Sequence, residues 1–217
     1  MVSDFEGVWE AFCAAGTTLG HTPGEREAWH RGRGRYALWL LRLDPGPVAE
    51  RVRVMQERLG GLVRPGRTQD LHVTVFVCGF PAPVVHHDDD VAEHRLAQAH
   101  QDLQAVLPRA PELIVGGVNG FRSCAVLEVA DPLGDLARVR TRLAQWSDEV
   151  RFEPFRPHVT LGTFPETVSV APLIQALGAL RHQPPLTWRP QALELVEFDA
   201  RAEQPVLETR WRVHLVG

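Results

Sequence analysis

Lysine is absent from this chain, and all 23 of its permanently basic side chains are arginine. With one of the two basic residue types missing, arginine abundance reflects a biased composition and does not by itself indicate nucleic-acid binding. Long apolar runs are missing too. No stretch approaches the ~20 residues of a membrane-spanning helix, and the N-terminus carries Asp4 and Glu6 where a secretory signal places basic residues before an apolar core. A soluble, cytoplasmic protein that engages no membrane is expected. Cysteine is scarce: Cys13, Cys78 and Cys124 are odd in number and lack metal-ligand spacing, which argues against a disulfide framework and a zinc site and leaves buried free thiols. The net charge of −4 speaks against a generic nucleic-acid coat protein. That charge is unevenly spread, because residues 26–67 hold ten arginines against four acidic residues, a local +6 that leaves −10 elsewhere. Such asymmetry steers phosphate-bearing ligands, or is no more than solvated helix and loop charge.

What the chain does contain is a repeat. His72-Val73-Thr74-Val75 and His158-Val159-Thr160-Leu161 stand 86 residues apart, each in a short apolar run that reads as a strand. Side chains alternate across a strand, so His and Thr two residues apart share a face and place an imidazole beside a hydroxyl. A lone tetrad reads as a histidine capping a half-buried strand; recurrence of the accompanying Thr points instead to a paired acid-base site that can hold an anion.

The 44% hydrophobic content of 217 residues suffices for one large core or two small lobes. Strands are expected over 36–43, 71–80, 112–118, 124–130, 157–164, 191–198 and 206–215, the 112–118 and 124–130 pair forming a hairpin. Helices are expected where Val48, Val52, Met55 and Leu59 recur before Gly60-Gly61, over 91–107 with Leu96, Ala99, Leu103 and Val106, around Leu136, Val139, Leu143 and Trp146, and around Leu173, Leu177 and Leu180. This is an internal duplication in outline. It predicts an α+β, bilobal, pseudo-two-fold fold with two antiparallel sheets, outer helices and a cleft between the sheets where the tetrads face each other.

The residues resemble the two-histidine (2H) phosphoesterase superfamily, in particular its bacterial 2′-5′ RNA ligase and RNA 2′,3′-cyclic phosphodiesterase branch. The resemblance rests on one H-x-T-hydrophobic signature in each half, on Asp70-Leu71 and Arg156-Pro157 leading into them, and on a glycine-bearing hairpin, Leu113 to Phe121 followed by Ala125 to Val129. It covers about residues 35–216. Residues 1–34, an N-terminal extension of unknown role, and the His-Asp run at 86–90 have no counterpart in it, so the two-lobed domain is placed at 35–217. The resemblance implies His72, Thr74, His158 and Thr160 as catalytic residues, with His158 the base and His72 the acid in the hydrolytic direction, no cofactor or metal, and RNA ends, tRNA fragments or cyclic nucleotides as substrates of a monomer. It also implies lobe exchange, so that sequence halves need not equal spatial lobes.

Opening a cyclic phosphodiester needs a base for the attacking water, an acid for the departing oxygen and donors for the nonbridging oxygens. Two imidazoles, one neutral and one protonated near pH 7, meet the first two needs and the Thr hydroxyls the third, giving a bell-shaped pH profile centred near the ordinary histidine value of ~6.5. Run backwards, the same site joins a 2′,3′-cyclic phosphate end to a 5′-hydroxyl in a 2′-5′ linkage; abundant water favours hydrolysis. Substrate-binding candidates are Arg156, in phase with His158 and Thr160; Phe76 and Phe164, counted onto the tetrad faces as base-stacking rings or, alternatively, core aromatics; and Tyr36 and Arg122, by position alone. Two competing readings stand beside this one. One is a metal-dependent phosphohydrolase built on His86-His87-Asp88-Asp89-Asp90 and His94, although an acidic run at a helix start is also favoured as a solvated first turn. The other is an RNA-end-binding module without turnover, which has no physical need for two titratable imidazoles.

Overall fold

The computed structural model describes residues 5–20, 24–106, 109–151 and 153–217. Among the described residues nine strands form, in chain order β1 (Arg35–Arg42), β2 (His72–Ala82), β3 (Asp90–Ala92), β4 (Leu113–Gly120), β5 (Cys124–Ala130), β6 (His158–Thr163), β7 (Leu186–Trp188), β8 (Ala192–Asp199) and β9 (Glu208–His214). The helices are α1 (Phe5–Ala14), α2 (Glu25–His30), α3 (Pro47–Leu59), α4 (Glu93–Val106), α5 (Asp135–Leu143) and α6 (Ala171–Gly178). Residue 107, the expected last residue of α4, lies outside the described residues.

Two separate sheets were expected; the strands instead form one sheet in the order β7-β4-β5-β6-β2-β1-β8-β9, antiparallel throughout, with β3 paired in parallel to the end of β2. Four strands lie on each side of the junction between the tetrad strands. One side draws its strands from residues 113–188 and the other from both ends of the chain, as the lobe exchange implied. The junction is thin: β2 and β6 pair only at Val73 and Val159. Pro157 has no N–H to extend the ladder on one side, and on the other the Leu71 carbonyl already accepts from Leu43 N at 2.9 Å.

Beyond that junction each freed edge is covered by a loop. Val150 N donates to Val77 O at 3.0 Å along β2, and Arg64 exchanges two bonds of 2.8 and 3.0 Å with Thr163 along β6. The helix faces read from sequence are mostly the buried ones: Val48, Val52, Met55 and Leu59 of α3, Leu96, Ala99 and Leu103 of α4, Leu136 and Leu143 of α5, Leu173 and Leu177 of α6; Val139 and Trp146 are half-buried against the core, and Val106, at the last residue of α4, is exposed. The buried residues share one core with Val73, Val75, Val159 and Leu161 of the tetrads. At ~25 cal/mol per Å² of apolar surface, this is the main term holding the sheet to its helices.

The N-terminal extension joins that architecture. Phe5, Val8 and Phe12 of α1 are buried, and Phe12 stacks on Phe164 at 6.1 Å against Gly120, where a Cβ would fall 2.9 Å from the Phe12 ring. Trp29 of α2 packs on Tyr36 and Phe80 at 4.8 and 5.3 Å. Among the described residues, no helix is long and apolar enough to cross a membrane.

Candidate active site

The tetrads meet at the β2-β6 junction. With Val73 opposite Val159, the antiparallel register sets His72 across from Thr160 and Thr74 across from His158, on the face turned away from the Val-lined core. Adjacent strands lie about 4.8 Å apart, so four polar groups from two strands surround one spot. Each imidazole is fixed the same way: His72 Nδ1 bonds the Asp70 carbonyl at 2.6 Å and His158 Nδ1 bonds the Arg156 carbonyl at 2.7 Å. A carbonyl only accepts, so each Nδ1 carries the proton and each neutral ring presents an unprotonated Nε2. This explains the lead-in residues as backbone, since Asp70 and Arg156 supply carbonyls that set the tautomer.

The strands do not keep a simple alternation past the threonines. In the β1-β2 register Thr74 pairs with Leu40 but Phe76 with Trp39, and in the β5-β6 register Thr160 pairs with Val126 but Gly162 with Ala125. Each strand therefore carries a bulge at the last residue of its tetrad, Val75 or Leu161, which shifts the following side chains to the other face. The bulge carbonyls are bonded by helix side chains: Val75 O accepts from Arg140 Nη1 of α5 at 2.7 Å and Leu161 O from Gln56 Nε2 of α3 at 2.8 Å. Phe76 and Phe164, counted onto the tetrad face by strict alternation, accordingly lie in the core, with 2% and 1% exposure.

The other expected contacts divide. Tyr36 is on the tetrad face, paired with Phe198 and buried among Trp29, Phe80 and Phe198, and burial pushes its phenol up to about 12. The Arg156 side chain is half-buried with no hydrogen-bond or ion-pair partner among the described residues. The Arg122 side chain donates through Nε to Thr17 O at 3.3 Å, tying the β4-β5 turn to the N-terminal segment. The His86 to Asp90 run is not the first turn of a helix but a loop leading into β3. Its Asp89 and Asp90 are bonded by Arg33 at 2.7 and 2.5 Å, and Asp90 Oδ2 accepts from the backbone N–H of His86 and His87. Among the described residues, no three His, Cys, Asp or Glu gather as a metal-binding group.

Two site residues escaped the sequence reading. Phe121, in the β4-β5 turn, sets its ring edge-on to His158 at 4.9 Å and 72°; its shared parity with Asn119, which pairs with Val126 on the tetrad face, was the available signal. Arg151 sits in the irregular segment before β6 and acts electrostatically on His158. No local pattern marks it, because only the pairing of Val150 with Val77 brings it there.

Desolvation is the largest influence on both imidazoles and lowers both. His158 falls to about 4, with Arg151 and His72 adding to the drop; His72 falls below 6.5, with Arg42 pushing down and Asp70 pushing up. Both rings of the free protein are thus neutral at pH 7, and the expected balance of one neutral and one protonated imidazole moves to the acid side of 6.5.

The fold is shared with solved structures. Escherichia coli LigT complexed with 3′-AMP superposes with a TM-score of 0.62 at 15% identity, over 85% of this chain and all of that one. A Thermus thermophilus protein gives 0.55 at 17%, covering 84% of this chain and 98% of its own, and a conserved protein from Agrobacterium tumefaciens gives 0.52 at 15%, covering 92% and 97%. Comparison with curated proteins gives no match. The model of the 2′-5′ RNA ligase superfamily matches residues 44–202, which contain both tetrads, and the chain belongs to that superfamily.

Proposed function

We propose that this protein is a metal-independent phosphodiesterase that opens 2′,3′-cyclic phosphate ends of RNA or nucleotides to 2′-phosphates, with the reverse 2′-5′ ligation available to the same site. The observation that carries this is the matched pair of imidazoles, each held through Nδ1 by the carbonyl two residues before it and presenting Nε2 on one sheet face. The solved LigT complexes with 3′-AMP, NADP+ and phosphate, all phosphate-bearing ligands, support a nucleotide substrate.

In the hydrolytic direction, the Nε2 of one histidine takes a proton from water as its oxygen bonds to phosphorus. The P–O3′ bond breaks, and the other histidine's Nε2–H protonates the departing 3′ oxygen, leaving a 2′-phosphate. Thr74 and Thr160 donate to the nonbridging oxygens. His158 suits the base, because both of its charged neighbours, Arg151 and His72, favour the neutral ring, whereas at His72 the downward push of Arg42 is opposed by the Asp70 carboxylate, which leaves His72 the better placed of the two to carry the acid's proton.

The test is a panel of cyclic mononucleotides, short RNAs with 2′,3′-cyclic phosphate ends and tRNA fragments, assayed with chelator present and with phosphate position read by 31P NMR. Turnover to 2′-phosphates in chelator is expected. Activity abolished by EDTA and restored by a divalent ion would overturn the reading and redirect attention to the His86 to His94 region.

A further inference from the structure

Where β6 leaves β2, the gap holds a triad that the proposed chemistry does not use. Glu149 accepts from Arg140 Nη1 and Nη2 at 2.8 and 2.6 Å and from Arg151 Nε at 2.9 Å. Arg140 also bonds Val75 O and lies 3.9 Å over the Phe155 ring, so it is committed on every side. Arg151 is not. Its side chain is 19% exposed, its Nε is taken by Glu149, and its Nη2 is buried with no hydrogen-bond partner. A buried charged donor left unbonded costs free energy that the fold recovers only if something else accepts from it.

The position of that donor is informative. That guanidinium stands between the β2 edge, which Val150 joins through Val77 O, and the Phe155 ring, whose segment leads directly into Arg156, Pro157 and His158; its charge acts on His158 of one half of the sheet and on Tyr36 of the other. The triad carries two cations on one carboxylate and so keeps a net positive charge. A guanidinium anchored through Nε presents its remaining N–H groups in a fixed plane, which suits phosphate oxygens.

We propose that Arg151 is a substrate-contacting residue whose free Nη2 donates to an anionic phosphate oxygen beside His158, with Glu149 and Arg140 acting as positioning residues that aim it. The inference deepens the reading above and rests on it for the location of the phosphate. It also separates Arg151 from Arg156, which reaches the same site through its backbone carbonyl.

The experiment uses the full chain with Arg151→Met, Arg151→Lys and, as a surface control, Arg189→Met, whose exposed arginine pairs with Glu112. Inorganic phosphate binding is measured by calorimetry, His158 titration by NMR, and kcat and KM on a cyclic mononucleotide, with a thermal melt for each variant. Arg151→Met is expected to weaken phosphate binding at least tenfold and to raise the His158 pKa, since a cation opposing its protonation is gone; Glu128, the cross-strand neighbour of His158, and His72 stay in place. Arg151→Lys is expected to restore the charge effect on His158 but only part of the phosphate affinity. If Arg151→Met does not fold, the Lys variant decides, and wild-type phosphate affinity in it overturns the proposal. A folded Arg151→Met with unchanged phosphate affinity and kinetics overturns the inference while the phosphodiesterase reading stands. Arg151-dependent phosphate binding without cyclic phosphate turnover keeps the inference and removes that reading, and no phosphate binding by the wild type removes both.

Discussion

At β2 the site histidine stands beside Arg42 and Asp70; at β6 its counterpart stands beside Arg151 and the edge of Phe121. The backbones of these two strands are near copies. Both fix Nδ1 on the carbonyl two residues earlier, both bulge at the residue after Thr, both have the bulge carbonyl bonded by a helix side chain, and both lose their shared pairing after one residue. The neighbours differ: the charges at both strands, and an aromatic edge at β6. The duplicated motif therefore sets where the imidazoles are, and in the proposed reaction the unduplicated neighbours decide which of them holds a proton, so that a symmetric scaffold runs an asymmetric reaction.

The most forceful way to break this comparison is to remove either imidazole. His72→Ala and His158→Ala are each expected to lower kcat by about 10² to 10⁴ on a cyclic nucleotide, while Thr74→Ala and Thr160→Ala cost less and act through phosphate binding; a His variant that folds and keeps near wild-type rate would remove the two-histidine mechanism. Next come the aromatics that the bulges turn inward. Phe164→Ala, in contact with Phe12, is expected to destabilise by about 3–5 kcal/mol in denaturant unfolding with the remaining folded enzyme still active; loss of activity with stability unchanged would restore the ring to substrate stacking. A smaller effect probes the bulge itself. Gln56→Leu leaves the Leu161 carbonyl unbonded and is expected to cost about 1–3 kcal/mol, measured by thermal melt. Smallest is Phe121→Ala, where loss of an edge-on ring contact worth about 0.5–1.5 kcal/mol is expected to raise KM or lower kcat by up to about tenfold, with His72 titration unmoved in NMR.

The tetrads were legible because a polar pair at period two inside an apolar run is a local signal, and its repetition removes the lone-histidine explanation. The helix faces of α3, α4, α5 and α6 were legible for the same reason at period 3.6. What sequence could not show was anything made by pairing. A bulge is decided by the register of two strands, so Phe76 and Phe164 counted onto the wrong face. The single residue pair that fuses two expected sheets into one depends on Pro157 and on Leu71 being engaged elsewhere. Residues 1–34 offered no strand or motif, yet Phe12 and Trp29 seat against Phe164 and Tyr36, contacts across more than a hundred residues in the first case. Arg151 was invisible because a lone arginine in an irregular segment acquires meaning only from the β2 edge it lies on.

In the proposed reaction, two geometrically equivalent histidines, both made reluctant to hold a proton by desolvation, divide into base and acid through their neighbours. That division is tested most directly by the pH dependence of kcat/KM on a small 2′,3′-cyclic phosphate, whose own ionisation is constant over the range. A group with a lowered pKa gives up its proton at lower pH, so both limbs move down: the rising limb, where His158 becomes neutral, is expected near 4, and the whole bell is expected on the acid side of 6.5. The limbs belong to a coupled pair, and loss of one limb from the residual activity of His158→Ala identifies its contribution. A profile that peaks above neutral pH, or rises monotonically as a metal-bound hydroxide would make it, contradicts this division of roles.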